Sequence, residues 1–261
     1  MAKPYLSVII PAYNEAKRLP LTLIDIDKHL KNSDFSYEII VVDNNSTDAT
    51  SEVVERFSHL IKNLKLIKCN VLGKGAAVKI GMLQSKGEIR LFTDADNSTS
   101  IDQFSKMIPY FPARGARLPD GQGSAAGGKQ GYDVVFGSRD VKGAKMVPAQ
   151  AWYKRLAGNI GNLIIQILLL PGLWDTQCGF KAFTESATEK IFPLIKIERW
   201  GFDVEILTLA KKLGYKIKEI PVIWVNDPFS RVKLTSYIQV LLEVFKIKWW
   251  IMTGKYKISN F

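Results

Sequence analysis

The sequence predicts an α/β fold built around a doubly wound, mostly parallel sheet with helices on both faces. Over about the first 100 residues, short apolar segments rich in β-branched residues alternate with longer segments of helical period. This alternation is typical of strand–helix–strand units whose strands pair in parallel. The chain has 261 residues, which is long enough for one such domain with a substantial core.

The predicted elements follow one another regularly in the first part of the chain. Strands are expected at residues 7–11, 38–42, 64–69 and 89–93, with helices running to about residue 30, from residues 43–47 onward and over 75–86. Residues 43–47 are good N-cap residues, so the second helix is expected to begin there. Farther on, strands are expected at 133–137, 176–183 and 217–225, and helices at about 150–170, 201–213 and 236–252. Residues 113–131, rich in Gly and Ala without an apolar period, predict a flexible surface loop.

The composition favours a basic protein that meets anionic partners. The formal net charge of +11 indicates nucleic acid, anionic lipid headgroups or phosphorylated substrates. Nucleic-acid binding is the least favoured, because the chain has no zinc-finger spacing, basic helical run or aromatic RNA-binding motif. Cys69 and Cys178 are too few for a disulfide framework, and we expect reduced thiols in a cytoplasmic protein without a signal peptide. The most apolar run, residues 163–170, falls short of the ~20 residues that a spanning helix needs.

Polar clusters follow three of the predicted strands. They are Tyr13-Asn14-Glu15, Asp43-Asn44-Asn45 and Asp94-Ala95-Asp96. The carboxyl ends of parallel strands meet at one edge of a sheet, where ligands of this fold class bind. Two carboxylates one residue apart, such as Asp94 and Asp96, can hold Mg²⁺ or Mn²⁺, and that ion can bridge a diphosphate. The glycine turn around Lys74 precedes a helix, and its backbone N–H groups could face phosphate, although it lacks the spacing of a P-loop.

The chain resembles glycosyltransferase family 2, the inverting enzymes with the GT-A fold, and within it the dolichyl-phosphate β-glucosyltransferases. The motifs that carry the resemblance are SVIIPAYNEAKRLP at 7–20, EIIVVDNNSTDAT at 38–50, GKGAAVKIGM at 73–82, TDAD at 93–96, GSR at 137–139, DTQCGFKAF at 175–183, RWGFDVEIL at 199–207 and EIPVIWV at 219–225. DTQCGFKAF and RWGFDVEIL discriminate most, because the wider family does not share these forms. This chain departs from the family at Asn44 and Asn45, where Asp-Gly is common.

The resemblance implies roles for individual residues. The implied donor-binding residues are Pro11, Tyr13, Glu15, Asp43, Lys74, Asp94, Arg231 and Lys233, and those for an acceptor phosphate are Arg139 and Arg155. Asp96 would ligate the metal, and Asp94 would act in catalysis beside the donor. Asp203 is favoured over Asp175 as an acceptor-side catalytic residue, although either could be a structural hydrogen-bond acceptor. The forked guanidinium of arginine suits phosphate oxygens.

The resemblance also implies an activity and a location. We expect one domain over residues 1–261, with a nucleotide-binding half at about 1–100 and an acceptor-facing and membrane-facing half at about 133–261. The expected reaction moves glucose from UDP-glucose to a polyprenyl phosphate of dolichyl type, with Mg²⁺ or Mn²⁺. GDP-mannose is the alternative donor. Aromatic residues beside lysines at 236–252 predict an amphipathic C-terminal helix on the cytoplasmic membrane surface.

Overall fold

The computed structural model describes residues 3–113, 131–148, 152–226 and 234–258, with the side chains of 152–157 and 234–235 left out. The strands are β1 (Leu6–Ala12), β2 (Tyr37–Asp43), β3 (Leu64–Lys68), β4 (Ile89–Thr93), β5 (Val134–Ser138), β6 (Lys145–Val147), β7 (Phe180–Thr184), β8 (Ile217–Pro221) and β9 (Ile223–Val225). The α-helices are α1 (Leu19–Leu30), α2 (Thr50–Ser58), α3 (Lys74–Gln84), α4 (Trp152–Leu168), α5 (Glu185–Ile191), α6 (Phe202–Lys212) and α7 (Leu234–Met252). Short 3₁₀ helices cover Ile101–Lys106, Ile108–Tyr110 and Phe192–Leu194.

The described strands form a seven-stranded sheet in the order β3-β2-β1-β4-β7-β5-β8. The pairs β1 with β2, β1 with β4, β2 with β3 and β5 with β8 are parallel, and β7 is antiparallel to both neighbours. The predicted doubly wound, mostly parallel sheet is therefore confirmed. Because the chain moves outward from β1 to β3 and then returns to β4, the strand order reverses between β1 and β4. A crevice at the carboxyl ends of these two strands is where such sheets bind ligands.

The core lies on both faces of this sheet. Successive residues of β1 alternate between two buried apolar clusters, with Ile9 in one and Val8 and Ile10 in the other. Side chains of α3, α5, α6 and α7 join Ile9, whereas those of α1 and of the 3₁₀ helix Ile101–Lys106 join Val8 and Ile10. Helices on both faces explain why the inner strands are continuously apolar rather than alternating with polar residues.

Three boundaries predicted from the sequence are wrong. The strand expected at 176–183 begins only at Phe180, because residues 176–179 form a turn before β7. Helix α2 begins at Thr50 rather than within 43–47, because Asn45 adopts a left-handed φ of 62° and the chain continues as a loop. The expected single strand 217–225 is divided into β8 in the main sheet and β9 in a two-stranded sheet with β6. Pro221 has no N–H to continue the ladder, and the next residue, Val222, accepts through its carbonyl from the N–H of Lys145 at the start of β6.

Helices α4 and α7 pack against each other and leave apolar side chains exposed. We call this surface the apolar face: Ile160, Leu163 and Ile167 from α4, with Ile238, Leu242, Phe245, Trp249 and Met252 from α7. The α7 positions recur every three or four residues, so they share one side of the helix. Lys246 and Lys255 lie over the Trp250 ring, with Nζ 4.8 and 5.0 Å from its centroid. In the described part of the chain, no helix is both long and apolar enough to span a bilayer.

Candidate active site

A cleft of about 500 Å³ opens at the carboxyl ends of β1 and β4. Its lining comprises Pro11, Ala12, Tyr13, Glu15, Arg18, Asn44, Leu72, Gly73, Lys74, Asp94, Ala95, Asp96, Arg199 and Trp200. The sequence-predicted residues Pro11, Tyr13, Glu15, Lys74, Asp94 and Asp96 are therefore brought to one cavity. This is the edge where the polar clusters were expected to meet.

Asp94, directly after β4, faces a cation across the cleft. Lys74 Nζ lies 2.5 Å from Asp94 Oδ1. Burial by itself would lower the pKa of Lys74, but the Asp94 and Asp203 carboxylates outweigh it and hold this pKa above its usual value. The Asp94 carboxylate occupies the space that a side chain at Gly179 would fill, since a Cβ there would lie 2.1 Å from Asp94 Oδ2. Glycine at 179 is thus required for Asp94 to take this position.

Asp96 is the second carboxylate of the cleft. Its Oδ1 accepts a hydrogen bond of 3.0 Å from Ser98 N. Burial, and after it the Asp94 carboxylate, raise the pKa of Asp96 above its usual range. A nearby divalent cation would offset both influences by stabilising the charged form.

Asp94 and Asp96 suit a metal ion whose remaining ligands come from a substrate and from water. Among the described residues, no group of three or more His, Cys, Asp or Glu side chains is arranged to hold an ion by itself. Mg²⁺ is commonly held by one or two carboxylates together with substrate phosphates and water. Two carboxylates in an open cleft match that pattern.

Asn44, to which the sequence assigned no role, positions the glycine turn. Its side-chain amide donates to the Val71 carbonyl at 2.6 Å, and its Oδ1 accepts from Gly73 N at 2.7 Å. An aspartate, which is common at this position in the family that the chain resembles, could accept but not donate. The signal available in the sequence was the place of Asn44 directly after a buried strand.

Asp43 and Glu15 are held by neighbouring polar groups. Asp43 is buried and is not among the described residues that line the cleft. Its carboxylate accepts from Ser46 N at 3.0 Å and Ser51 Oγ at 2.5 Å. Burial would raise the pKa of Asp43, but these hydrogen bonds outweigh it and lower the pKa below its usual value. Glu15 pairs with Arg18, whose Nε donates to Glu15 Oε2 at 2.6 Å. The donor-binding role of Asp43 stays a prediction.

Arg139 follows β5 and is paired with Asp175. The Asp175 carboxylate accepts from Arg139 Nε at 2.7 Å, Nη2 at 2.8 Å and the backbone N at 2.8 Å. Burial would raise the pKa of Asp175, but the Arg139 guanidinium outweighs it and lowers that pKa. A guanidinium has five N–H donors, and this pairing uses two of them. Arg139 therefore keeps donors for an acceptor phosphate, a role that stays a prediction.

Asp203 lies in the first turn of α6 and is almost fully buried. Its Oδ1 is 2.5 Å from Nζ of Lys181, a buried lysine of β7 that also lies 5.5 Å from the centroid of the Phe92 ring. Asp203 is absent from the described lining of the cleft, although its charge contributes to the raised pKa of Lys74. Lys181 is a further residue that sequence reasoning missed.

Three predicted residues are not tested by this geometry. The side chain of Arg155, and both Arg231 and Lys233, lie outside the described residues. By contrast, Arg18, Arg199 and Trp200 line the cleft although the sequence assigned them no role. Arg199 and Trp200 belong to the RWGFDVEIL motif at 199–207, which was the available signal.

Comparison with known proteins identifies the family. A family model described as glycosyl transferase family 2 matches residues 7–192. The dolichyl-phosphate β-glucosyltransferase of Dictyostelium discoideum is 37% identical, with 98% of this chain and 77% of that protein covered. The human dolichyl-phosphate β-glucosyltransferase is 31% identical, with 98% of this chain and 78% of that protein covered. These relatives confirm the resemblance drawn from the sequence motifs.

Solved structures confirm the GT-A fold. The mannosyl-3-phosphoglycerate synthase from Rubrobacter xylanophilus superimposes with a TM-score of 0.67 at 14% identity, covering 98% of this chain and 76% of that one. The glucosyl-3-phosphoglycerate synthase from Mycobacterium tuberculosis, in complex with Mn²⁺, UDP and glucosyl-3-phosphoglycerate, gives 0.63 at 17% identity, covering 94% of this chain and 80% of that one. At these identities the likeness concerns the fold alone.

Proposed function

The chain belongs to glycosyltransferase family 2, and we propose that it transfers glucose from UDP-glucose to a polyprenyl phosphate with inversion at the anomeric carbon. The observation that carries the proposal is the cleft at the carboxyl ends of β1 and β4, where Asp94, Asp96 and Lys74 meet. The choice of glucose and of a lipid-phosphate acceptor is supported by the names of the relatives and by the DTQCGFKAF and RWGFDVEIL motifs.

The donor half of the proposal concerns how the diphosphate is held. Asp96 and Asp94 would hold Mg²⁺ or Mn²⁺, which when bound offsets the negative charge that develops on the leaving diphosphate. Lys74 would contribute a second positive charge on the same side of the cleft. Tyr13, about half exposed, offers a ring beside the strand end for the nucleotide. Arg231 and Lys233 remain proposed donor contacts.

The acceptor half requires little proton transfer. A phosphate monoester has a second pKa near ~6, so a lipid phosphate already carries a nucleophilic oxygen at neutral pH. Positioning and charge balance can then supply most of the rate. We assign the acceptor phosphate to the free donors of Arg139, with Arg155 as a further contact. Asp203, which is paired with Lys181, is suited to balancing the charge of Lys74 rather than to removing a proton.

We further propose that the apolar face lies on the cytoplasmic surface of the membrane that holds the acceptor. Leu242, Phe245 and Trp249 expose large apolar areas on one side of α7. Lys246, which follows Phe245 in the chain, is exposed and lies over the Trp250 ring. Aromatic and lysine side chains together suit the headgroup level of a bilayer. The net charge of +11 favours anionic lipid.

The test of the function is a transfer assay with radiolabelled UDP-glucose, a polyprenyl phosphate and Mg²⁺ or Mn²⁺. We expect label to enter the lipid phase, and we expect EDTA or Asp96→Ala to abolish this transfer. The control Glu55→Ala, which removes an exposed carboxylate of α2, should transfer label like the wild type. Transfer from GDP-mannose alone would replace the donor, and transfer from neither nucleotide sugar would contradict the lipid-phosphate acceptor.

A further inference from the structure

Among the described residues, three cations line the cleft, and they differ in how their charges are balanced. Arg18 is paired with Glu15, and Lys74 is paired with Asp94. Arg199 is exposed, and no carboxylate in the described part of the chain forms an ion pair with it. Its guanidinium is therefore available to an anion that enters the cleft. Since the proposed substrates carry phosphates on both the donor and the acceptor side, a phosphate is the anion to consider.

The loop that carries Arg199, residues 195–201, is packed tightly against the start of α3. We call it the RW loop. The Glu198 carbonyl accepts from Ala76 N at 3.1 Å, and a Cβ at Gly73 would lie 2.0 Å from that same oxygen. Gly73 has a φ of 136°, which disfavours any other residue. The turn that presents Lys74 and the loop that presents Arg199 are thus built as one unit.

Helices α6 and α7 hold the other side of the RW loop. The buried Glu205 carboxylate accepts from Lys196 N at 3.0 Å and Ile197 N at 2.8 Å. Glu243 of α7 accepts from Gly201 N at 2.6 Å, and a Cβ at Gly201 would lie 2.7 Å from Glu243 Oε2. The contact at Gly201 ties the RW loop to the helix that carries most of the apolar face.

We infer that Arg199 is a further substrate-binding residue, which contacts a phosphate group in the cleft, and that Glu243 is a positioning residue for the RW loop. The inference rests on the proposed function, which supplies the phosphorylated substrates. Arginine suits this role because its planar fork donates two parallel hydrogen bonds to phosphate oxygens. A loop held on both sides loses little entropy when it binds, so the contact is pre-organised.

The experiment compares the wild type with Arg199→Gln and with Arg56→Gln, which removes an exposed arginine from α2. The dissociation constant of UDP with Mn²⁺ is measured by calorimetry, and the KM of the polyprenyl phosphate is measured in the transfer assay. Loss of a charge-assisted contact should weaken phosphate binding about tenfold or more in Arg199→Gln. Arg56→Gln should match the wild type in both measurements.

The two measurements distinguish the source of the phosphate. A weaker UDP affinity assigns Arg199 to the donor diphosphate, whereas an unchanged UDP affinity with a raised acceptor KM assigns it to the lipid phosphate. If neither changes while the wild type binds UDP, the inference fails and the proposed function stands. If the wild type binds GDP and not UDP, the proposed donor fails, and the same comparison with GDP decides the role of Arg199.

Glu243 is tested through a conservative rescue. Glu243→Ala removes the acceptor for Gly201 N. It should weaken, several-fold, the same binding that Arg199→Gln weakens. Glu243→Gln keeps an oxygen acceptor at the same reach and should restore most of the affinity. If Glu243→Ala and Glu243→Gln bind with equal affinity, and circular dichroism shows that both are folded, Glu243 does not position the RW loop.

Discussion

Gly179 determines whether the Asp94 carboxylate can stand in the cleft. A methyl group at 179 would lie 2.1 Å from Asp94 Oδ2 and 2.5 Å from its Cγ, distances that carbon atoms cannot adopt. The carboxylate would have to rotate away from Lys74. At the residue scale, therefore, the site requires that position 179 has no Cβ, as well as the side chains of Asp94 and Lys74.

We expect Gly179→Ala to reduce sugar transfer and Mn²⁺ affinity by about tenfold or more, because a ligand displaced by an ångström loses its geometry. Mn²⁺ binding in the presence of UDP, followed by electron paramagnetic resonance, measures the effect independently of turnover. The matched control is Gly161→Ala in α4, where a Cβ meets nothing within 4 Å. Removing a helical glycine there should stabilise the protein by about 0.5–1 kcal/mol. Unchanged Mn²⁺ binding in Gly179→Ala would contradict the steric argument.

Asp175 shows how a buried charge depends on its partner. Asp175→Asn leaves Arg139 without a counter-charge, and we expect the free energy of unfolding to fall by about 3 kcal/mol. Urea denaturation at neutral pH measures this loss. The control Glu55→Gln, on the exposed side of α2, should stay within about 0.5 kcal/mol of the wild type. A loss no larger than that of the control would mean that the Arg139 pair contributes little.

The same pair gives a pH dependence with a definite sign. The folded-state pKa of Asp175 is lowered, so its stabilisation is fully present above the unfolded value of about 3.9 and is lost as the pH falls through the folded value. The stability gap between the wild type and Asp175→Asn should therefore be widest near neutral pH and narrow below about pH 4. A gap that widens on acidification would contradict the lowered pKa.

At the scale of elements, the C-terminal segment after α7 packs back against α6 and is bonded to it. Tyr256 is buried, and its hydroxyl donates to Glu205 Oε1 at 2.7 Å. Glu205 also receives the backbone N–H groups of Lys196 and Ile197. One buried carboxylate thus joins α6, the loop beside the cleft and the chain end.

We expect Tyr256→Phe to lower the free energy of unfolding by about 2 kcal/mol, because the lost hydrogen bond is made to a charged group. Tyr215→Phe is the matched control, since its hydroxyl donates to the neutral Ser186 carbonyl at 3.2 Å and should cost about 1 kcal/mol or less. Urea denaturation of both variants gives the comparison. Equal losses would mean that Glu205 does not strengthen the contact through its charge.

At the scale of the whole molecule, the apolar face and the cleft are built on connected parts of the fold. Helix α7 carries Leu242 and Phe245 on its exposed side and Glu243 toward Gly201. Adjacent positions on a helix point in different directions, so one helix can contact a lipid surface and the active-site loop together. A protein bound to the membrane through α7 would then have its active-site loop close to the membrane that holds a lipid-linked acceptor.

The membrane proposal predicts co-sedimentation with vesicles that contain anionic lipid at low salt. We expect Leu242→Glu to reduce the bound fraction about tenfold, because it removes an apolar side chain from the face and adds a repelled charge. Leu60→Glu, at a side chain 78% exposed beyond the end of α2, is the control and should bind like the wild type. If neither Leu242→Glu nor added salt changes the fraction bound to vesicles, the proposal that the apolar face lies on the membrane is contradicted.

The sequence by itself determined the fold class, most elements and the edge of the sheet where the site lies. These depend on the period of apolar residues and on which side chains follow each strand, and both properties are local along the chain. Asp94, Asp96, Tyr13 and Glu15 could be predicted to share the cleft for this reason.

Only the tertiary structure decided which charges meet. The ion pairs of Lys74 with Asp94, Arg139 with Asp175 and Lys181 with Asp203 join residues that are far apart in sequence, and packing alone brings them together. The predicted start of α2 was wrong because Asn45 adopts a left-handed turn, although residues 43–47 are good N-cap residues. Residues 217–225 are divided between two sheets because β9 pairs with β6, a strand that no local sequence pattern predicted. Side-chain partners and strand partners are set by contacts across the fold, whereas periodicity reports only the neighbours along the chain.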